Sequence, residues 1–176
     1  MTFTVGFVTG ATPDKWARVW RERSKERLEL VPVDEDAQLD GVRDGSHSMA
    51  LVRLPVDREG LHLIPLYDEL PVAVMSIDNT LTLLDEVTQA DLADEHQDWG
   101  SLAMSDVVAT VAAGTGVVVV PMSVARLHHR KDVTHRPVND LPATKVGLAW
   151  RTDDEDERVQ TFIGIVRGRS ERSSRS

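Results

Sequence analysis

The polar residues best placed for chemistry stand where apolar runs stop. Thr9-Gly10-Ala11-Thr12 follows the run Phe3 to Val8 and leads to Pro13. A turn of this kind leaves backbone N–H groups and two hydroxyls at a strand end, a small polar socket, although plain helix capping accounts for the same residues equally well. Asp34, Glu35 and Asp36 take the equivalent place after a second run, Arg53 closes a third, and Pro121-Met122-Ser123 follows a fourth. Thr9, Gly10, Thr12, Glu35, Arg53, Pro121, Met122 and Ser123 are therefore the expected ligand-binding residues of one crevice. Other constellations point away from catalysis. Gly114-Thr115-Gly116 follows a helical pattern and precedes a strand, the reverse of the order that cradles a dinucleotide phosphate. No GxSxG elbow occurs. His128 and His129 are neighbours at a helix end, where adjacent side chains diverge by about 100° and the helix dipole favours cations, so with His135 they do not read as a metal set. The acidic run Asp153 to Glu157 suits the start of a last helix. No catalytic residue, metal site or cofactor is expected.

The elements that must position the crevice alternate. Phe3 to Val8 reads as a strand. A helix capped by Thr12 follows, with Trp16, Val19 and Trp20 on one face. Leu28 to Val33 is a second strand, a short helix from Asp34 carries Ala37, Leu39 and Val42 and closes at Asp44-Gly45, and Met49 to Leu54 is the third strand. This β-α-β-α-β order predicts parallel strands with right-handed crossovers. Leu61 to Leu66 and Pro71 to Ser76 are strand-like with no helix between them, the expected point of departure from the first lobe. Thr88 to Asp91 has capping-box spacing for a brief helix. A helix from Ser105 to Ala113 ends before Gly114, Val117 to Val120 is a buried strand, and Ser123 caps a helix to about His129. Val133 to Val138 and Lys145 to Trp150 are strands, and Glu155 to Val166 is a helix with Val159, Phe162, Ile163 and Val166 on one face.

The 176 residues allow one compact domain or two small lobes, and 41% hydrophobic against 28% charged residues provides a core. A net charge of −9 argues against nucleic acid or anionic membrane as partner, since both require a surplus of Lys and Arg. Cysteine is absent, which excludes disulfides and thiolate chemistry and fits a cytoplasmic location. No signal peptide or long apolar span is visible, so no membrane association is expected. The Arg- and Ser-rich end, 169–176, reads as a disordered basic tail.

Several segments, in order, carry a family resemblance. Leu28 to Val33 is similar to the second strand, and Leu39 to Leu54 to the "LxxGxxDhAlxR" stretch, with Ser48 in place of its Asp, of the effector-binding domain of LysR-type transcriptional regulators. Leu63 to Glu69 resembles that family's "PLYDE" segment, Val87 to Ala93 its "vsladLa", and Val111 to Pro121 its "VaaGlGvallP".

The resemblance implies an α/β, two-lobed type 2 periplasmic-binding-protein-like fold, with lobe I at 1–70 plus 139–168 and lobe II at 71–138. The stretch from Leu92 to Val111 is shorter than in the family, which implies a truncated second lobe. The implied function is non-catalytic sensing of a small polar effector, with an anion as one option. Glu35, where the family often has a small hydroxyl residue, disfavours an anion unless Arg53 compensates it. The chain starts at the first effector-domain strand, so an operator-reading helix-turn-helix and specific DNA binding are not expected. A homodimer, or a partnership with a full-length regulator, is expected. An interaction module that kept the dimer surface without a ligand site, and an enzyme on the same fold, are the alternatives.

Overall fold

The computed structural model describes residues 2–168; the basic tail expected over 169–176 lies outside them. The chain divides into two compact units, one formed up to Tyr67 and again from Lys145, the other by Asp68–Thr144.

The first unit is built on a five-stranded sheet. Its strands are β1 (Phe3–Val8), β2 (Leu28–Val33), β3 (Met49–Leu54), β4 (Leu61–Glu69) and β8 (Thr144–Arg151), in the order β2-β1-β3-β8-β4. β1 pairs parallel with β2 from Phe3↔Leu28 to Val8↔Val33 and parallel with β3 from Val5↔Met49 to Phe7↔Leu51, while β8 returns antiparallel to β3. Two helices, α1 (Asp14–Arg23) and α5 (Glu157–Val166), cover one face. Their apolar stripes recur at helical spacing, so Trp16, Ala17 and Trp20 of α1 meet Val159, Phe162 and Ile163 of α5 over Phe3, Val5 and Met49. Phe3 stacks on Trp20 at 4.9 Å with the planes 8° apart, and Phe162 tilts against both rings. The opposite face buries Ala50, Val52, Leu61 and Ala149 against Val42 of α2 (Asp40–Asp44). That helix ends at Gly45, whose φ of 86° is the left-handed stop that glycine adopts without strain.

The second unit holds a three-stranded antiparallel sheet, order β6-β5-β7, from β5 (Pro71–Ser76), β6 (Val118–Pro121) and β7 (Val133–Pro137). β5 lies in the centre and is buried along its whole length. One face packs on α3 (Met104–Ala112) and α4 (Met122–Leu127), the other on Val87, Leu92, Val117 and Val138.

Four local expectations are corrected. The segment after β2 is not one helix but a 3-10 turn, Glu35–Ala37, followed by the separate α2. Val118–Pro121 is not fully buried, because Val119 and Pro121 are only half covered on the side away from α3 and α4. Thr88 and Asp91 form the reciprocal bonds of a capping box, Thr88 N–H to Asp91 Oδ2 at 2.9 Å and Asp91 N–H to Thr88 Oγ1 at 3.2 Å, yet only turns follow. The box satisfies its own amides, but no apolar stripe continues beyond it to hold a helix. Lastly, Pro13 rather than Thr12 stands at the N-cap of α1, with no side-chain cap bond.

Candidate functional site

In the first unit the chain goes from β1 through α1 to β2 on one side, then crosses to β3 on the other. The carboxyl ends of β1 and β3 therefore flank a topological switch point, where open parallel sheets bind ligands. Thr9, Gly10, Thr12, Glu35 and Arg53 all lie at this edge.

Arg53 organises it. Pairing of β1 with β3 ends at Phe7↔Leu51, so the backbone of Arg53 has no strand partner on that side. Gln38, only 8% exposed, replaces the missing strand: its Nε2 donates to Arg53 O at 3.0 Å and its Oε1 accepts from Arg53 N–H at 2.8 Å. The Arg53 guanidinium, 7% exposed, donates to Glu35 Oε1 at 3.0 Å and to Thr9 O at 3.1 Å. Thr9 in turn donates its hydroxyl to Val33 O at 3.2 Å and its N–H to the same oxygen at 3.1 Å. The ends of all three parallel strands are thereby tied through one cation. Glu35 keeps 59% of its side chain exposed and is compensated by Arg53.

The turn itself has donors to spare. Gly10 has a φ of 95°, a conformation that explains glycine here, and Ala11 N–H closes onto Val8 O at 3.0 Å. The N–H groups of Gly10 and Thr12 have no partner among the described residues.

In the second unit, Pro121, Met122 and Ser123 stand at the junction of β6 and α4. Pro121 is the N-cap residue and Ser123 lies inside the helix, so the expected Ser123 cap is corrected. α4 has six residues, and Met122 N–H is taken by Leu70 O at 2.9 Å, so this helix start offers less than the turn after β1. The Ser123 hydroxyl instead donates to the carboxylate of Glu69, which is 5% exposed and also accepts from Thr144 Oγ1 at 3.2 Å. Gln38 in the first unit and Glu69 and Thr144 in the second are hydrogen-bonded polar residues that periodicity does not single out, since a covered polar side chain has the spacing of its apolar neighbours. Only the "PLYDE" resemblance touched Glu69.

His135 stands on β7. Burial first, then the positive charges of Arg126, Arg136 and His129, hold its imidazole below the usual histidine range. Among the described residues no group of three or more His, Cys, Asp or Glu is close enough to hold a metal.

The chain matches the family described as the LysR substrate binding domain over residues 3–97. It is 26% identical over 199 aligned positions to the Hca operon transcriptional activator HcaR of Escherichia coli, an alignment covering 94% of this chain and 67% of HcaR. Its fold superposes on the OxyR regulatory domain of Pseudomonas aeruginosa with a TM-score of 0.78 at 21% identity, covering 95% of this chain and 96% of that one. The effector binding domain of a BenM variant gives 0.81 at 18% identity, over 95% and 93% of the two chains. The two α/β units, with their two sheets and flanking helices, are thus the fold of LysR effector domains. With its match spanning more than half of the sequence, the chain belongs to the LysR substrate-binding-domain family.

Proposed function

We propose that this chain is the sensing part of a transcriptional regulator and binds a small polar effector without transforming it. The observation that carries this reading is the turn after β1, where the Gly10 and Thr12 N–H groups stand without partners beside the Arg53 knot. Acceptor atoms of an effector would take those two amides, as anions and carbonyls do at strand ends. Glu35 already neutralises Arg53, so a neutral polar or singly charged effector suits the edge better than a multiply charged anion. Thr9, Gly10, Thr12 and Glu35 are the residues proposed to meet the effector, and Arg53 and Gln38 position them. Pro121, Met122 and Ser123 are proposed separately, as a binding segment of the second unit. By the kinship with HcaR, a transcriptional activator, the response is transcriptional; a cytoplasmic location and a homodimer are proposed with it. DNA recognition belongs to a separate element, on the same polypeptide or on a partner.

A thermal-shift screen of small carboxylates, phosphates, polyols and amines tests this. A ligand at 100 times its Kd should raise the unfolding free energy by about 2.7 kcal/mol, a shift of several degrees. The Thr9→Val and Glu35→Gln variants should weaken the hit. A hit unaffected by both variants, or no hit in any class, contradicts the reading.

A further inference from the structure

The two edges of the sheet in the second unit are finished differently. Along β7 the edge is closed: Val87 N–H donates to Pro137 O at 2.9 Å, Asn139 N–H donates to Val87 O at 2.9 Å, and the Arg136 guanidinium gathers the carbonyls of Thr82 and Leu84. Along β6 part of it is open. Met122 N–H donates to Leu70 O and Val138 N–H to Pro71 O, so Leu70, Val72 and Val74 turn their backbone groups toward β6 and are met there by Met122, Val120 and Val118. Val117, Val119 and Pro121 therefore turn theirs outward. Val117 is satisfied, since its N–H donates to His96 O at 2.9 Å and its carbonyl accepts from Trp99 Nε1 at 2.9 Å. Val119 N–H, Val119 O and Pro121 O have no partner among the described residues.

Charge decides what can complete this edge. The second unit carries twelve acidic against four basic side chains, and the stretch from Asp85 to Asp106 has seven carboxylates and no Lys or Arg. That same stretch reaches β6 through His96 and Trp99. Of the four cations, Arg130 pairs with Asp132 and Arg136 is held at the far edge. A second copy of the chain fits badly, because antiparallel pairing about Val119 sets Pro121 O against the already satisfied Val117 and brings two acidic stretches together. An incoming strand with cationic side chains supplies the missing acceptor and donors and relieves the carboxylates.

We propose that the β6 edge docks an extended basic segment of a partner protein, which adds to the sheet as a fourth strand beside β6. The segment accepts from Val119 N–H, donates to Val119 O and Pro121 O, and sets Lys or Arg against the carboxylates of the stretch 85–106. This docking is separate from effector binding at the strand ends of the first unit.

Titration calorimetry of the whole chain with the peptide acetyl-KVKVKVK-amide tests it. Saturation is expected at about 1 mM or below, a modest affinity because few backbone groups are open. Two comparison peptides should each bind at least about tenfold more weakly: acetyl-EVEVEVE-amide, which reverses the charge, and the basic peptide methylated on its three central backbone nitrogens, which keeps the charge but cannot pair. Val119→Pro should lose a similar factor, because the ring removes the outward donor while Val118 and Val120 keep the ladder to β5. Unfolding of V119P at the wild-type temperature separates lost docking from lost structure, and if that variant is destabilised the methylated peptide makes the same test on the unchanged chain. The Val119 amide resonance should move downfield as the basic peptide saturates. No saturable heat up to about 10 mM peptide would overturn the proposal. So would equal binding of the acidic or the methylated peptide, or a Val119 amide unmoved at saturation. A dimer of the free chain that V119P dissociates would give the edge to a second copy and overturn it as well.

Discussion

Replacing Arg53 by methionine removes the partner of Glu35, the donor to Thr9 O and the only cation tying the ends of β1, β2 and β3 in the described network. The methylene stem keeps its burial, so the loss is polar. We expect about 2–4 kcal/mol of destabilisation by urea unfolding, because the half-buried Thr9 carbonyl loses its donor and the Arg53 site its charge pairing. Glu35→Gln should cost under about 1 kcal/mol, since that partner is mostly in water. Equal losses would mean that the ion pair, not the carbonyl contact, is what holds the edge. A second residue-scale test concerns His47, whose ring is clamped between two glycines. A Cβ at Gly41 would stand 2.0 Å from His47 Nδ1, and one at Gly6 would stand 2.7 Å away. Nδ1 is buried with no hydrogen-bond partner among the described residues. In an open helix Gly→Ala stabilises by up to about 1 kcal/mol; here Gly41→Ala should instead destabilise by about 1–3 kcal/mol. Adding His47→Ala should return part of that loss. A double variant no better than Gly41→Ala would show that the ring is not the obstacle.

Among the elements, α5 offers the clearest dependence on pH. Asp156 caps it by accepting from Arg158 N–H at 2.9 Å, and the Arg158 guanidinium also binds the carboxylate. Hydrogen bonding to the Arg158 side chain first, then to its backbone and charge, holds the Asp156 carboxyl below its ordinary 3.8. A lowered folded value means that the stabilisation is complete above 3.8 and is lost as pH falls through the folded value. Asp156→Asn keeps a capping side chain, so at pH 7 it should cost under about 1 kcal/mol, and the gap from wild type should close below 3.8. A gap unchanged across that range in acid-unfolding curves would contradict the assignment. The element scale also shows what a sequence can disclose. β1, β2, β3 and β5 were legible to the residue because runs such as Phe3 to Val8 are bounded by a turn and by charge. The break between Glu35–Ala37 and α2 was not, since Asp34 to Asp36 promise a helix start while Gln38 must turn inward to serve Arg53. Ser123 looked like a cap because it stands first among hydroxyls after β6; its real partner, Glu69, is 54 residues away in sequence and no local pattern points to it. At the candidate site the positions of Thr9, Glu35 and Arg53 were legible from strand ends, whereas the direction of their hydrogen bonds was a matter of tertiary packing.

At the scale of the molecule, the structure has two units with separate cores and a family whose members share them. A net charge of −9 disfavours contact with phosphates, so a low-salt gel shift with this chain is expected to show no sequence-specific retardation. Light scattering at micromolar concentration should give twice the 19.5 kDa chain mass, and a monomer would count against the proposed homodimer. The central claim is that an effector is read at the strand ends of the first unit. Its most direct test is an amide chemical-shift titration of the whole chain with the ligand found by thermal-shift screening. The account predicts that the Gly10 and Thr12 N–H resonances move downfield together and saturate at the calorimetric Kd, as each gains an acceptor. A ligand that saturates while leaving both amides unmoved would contradict it.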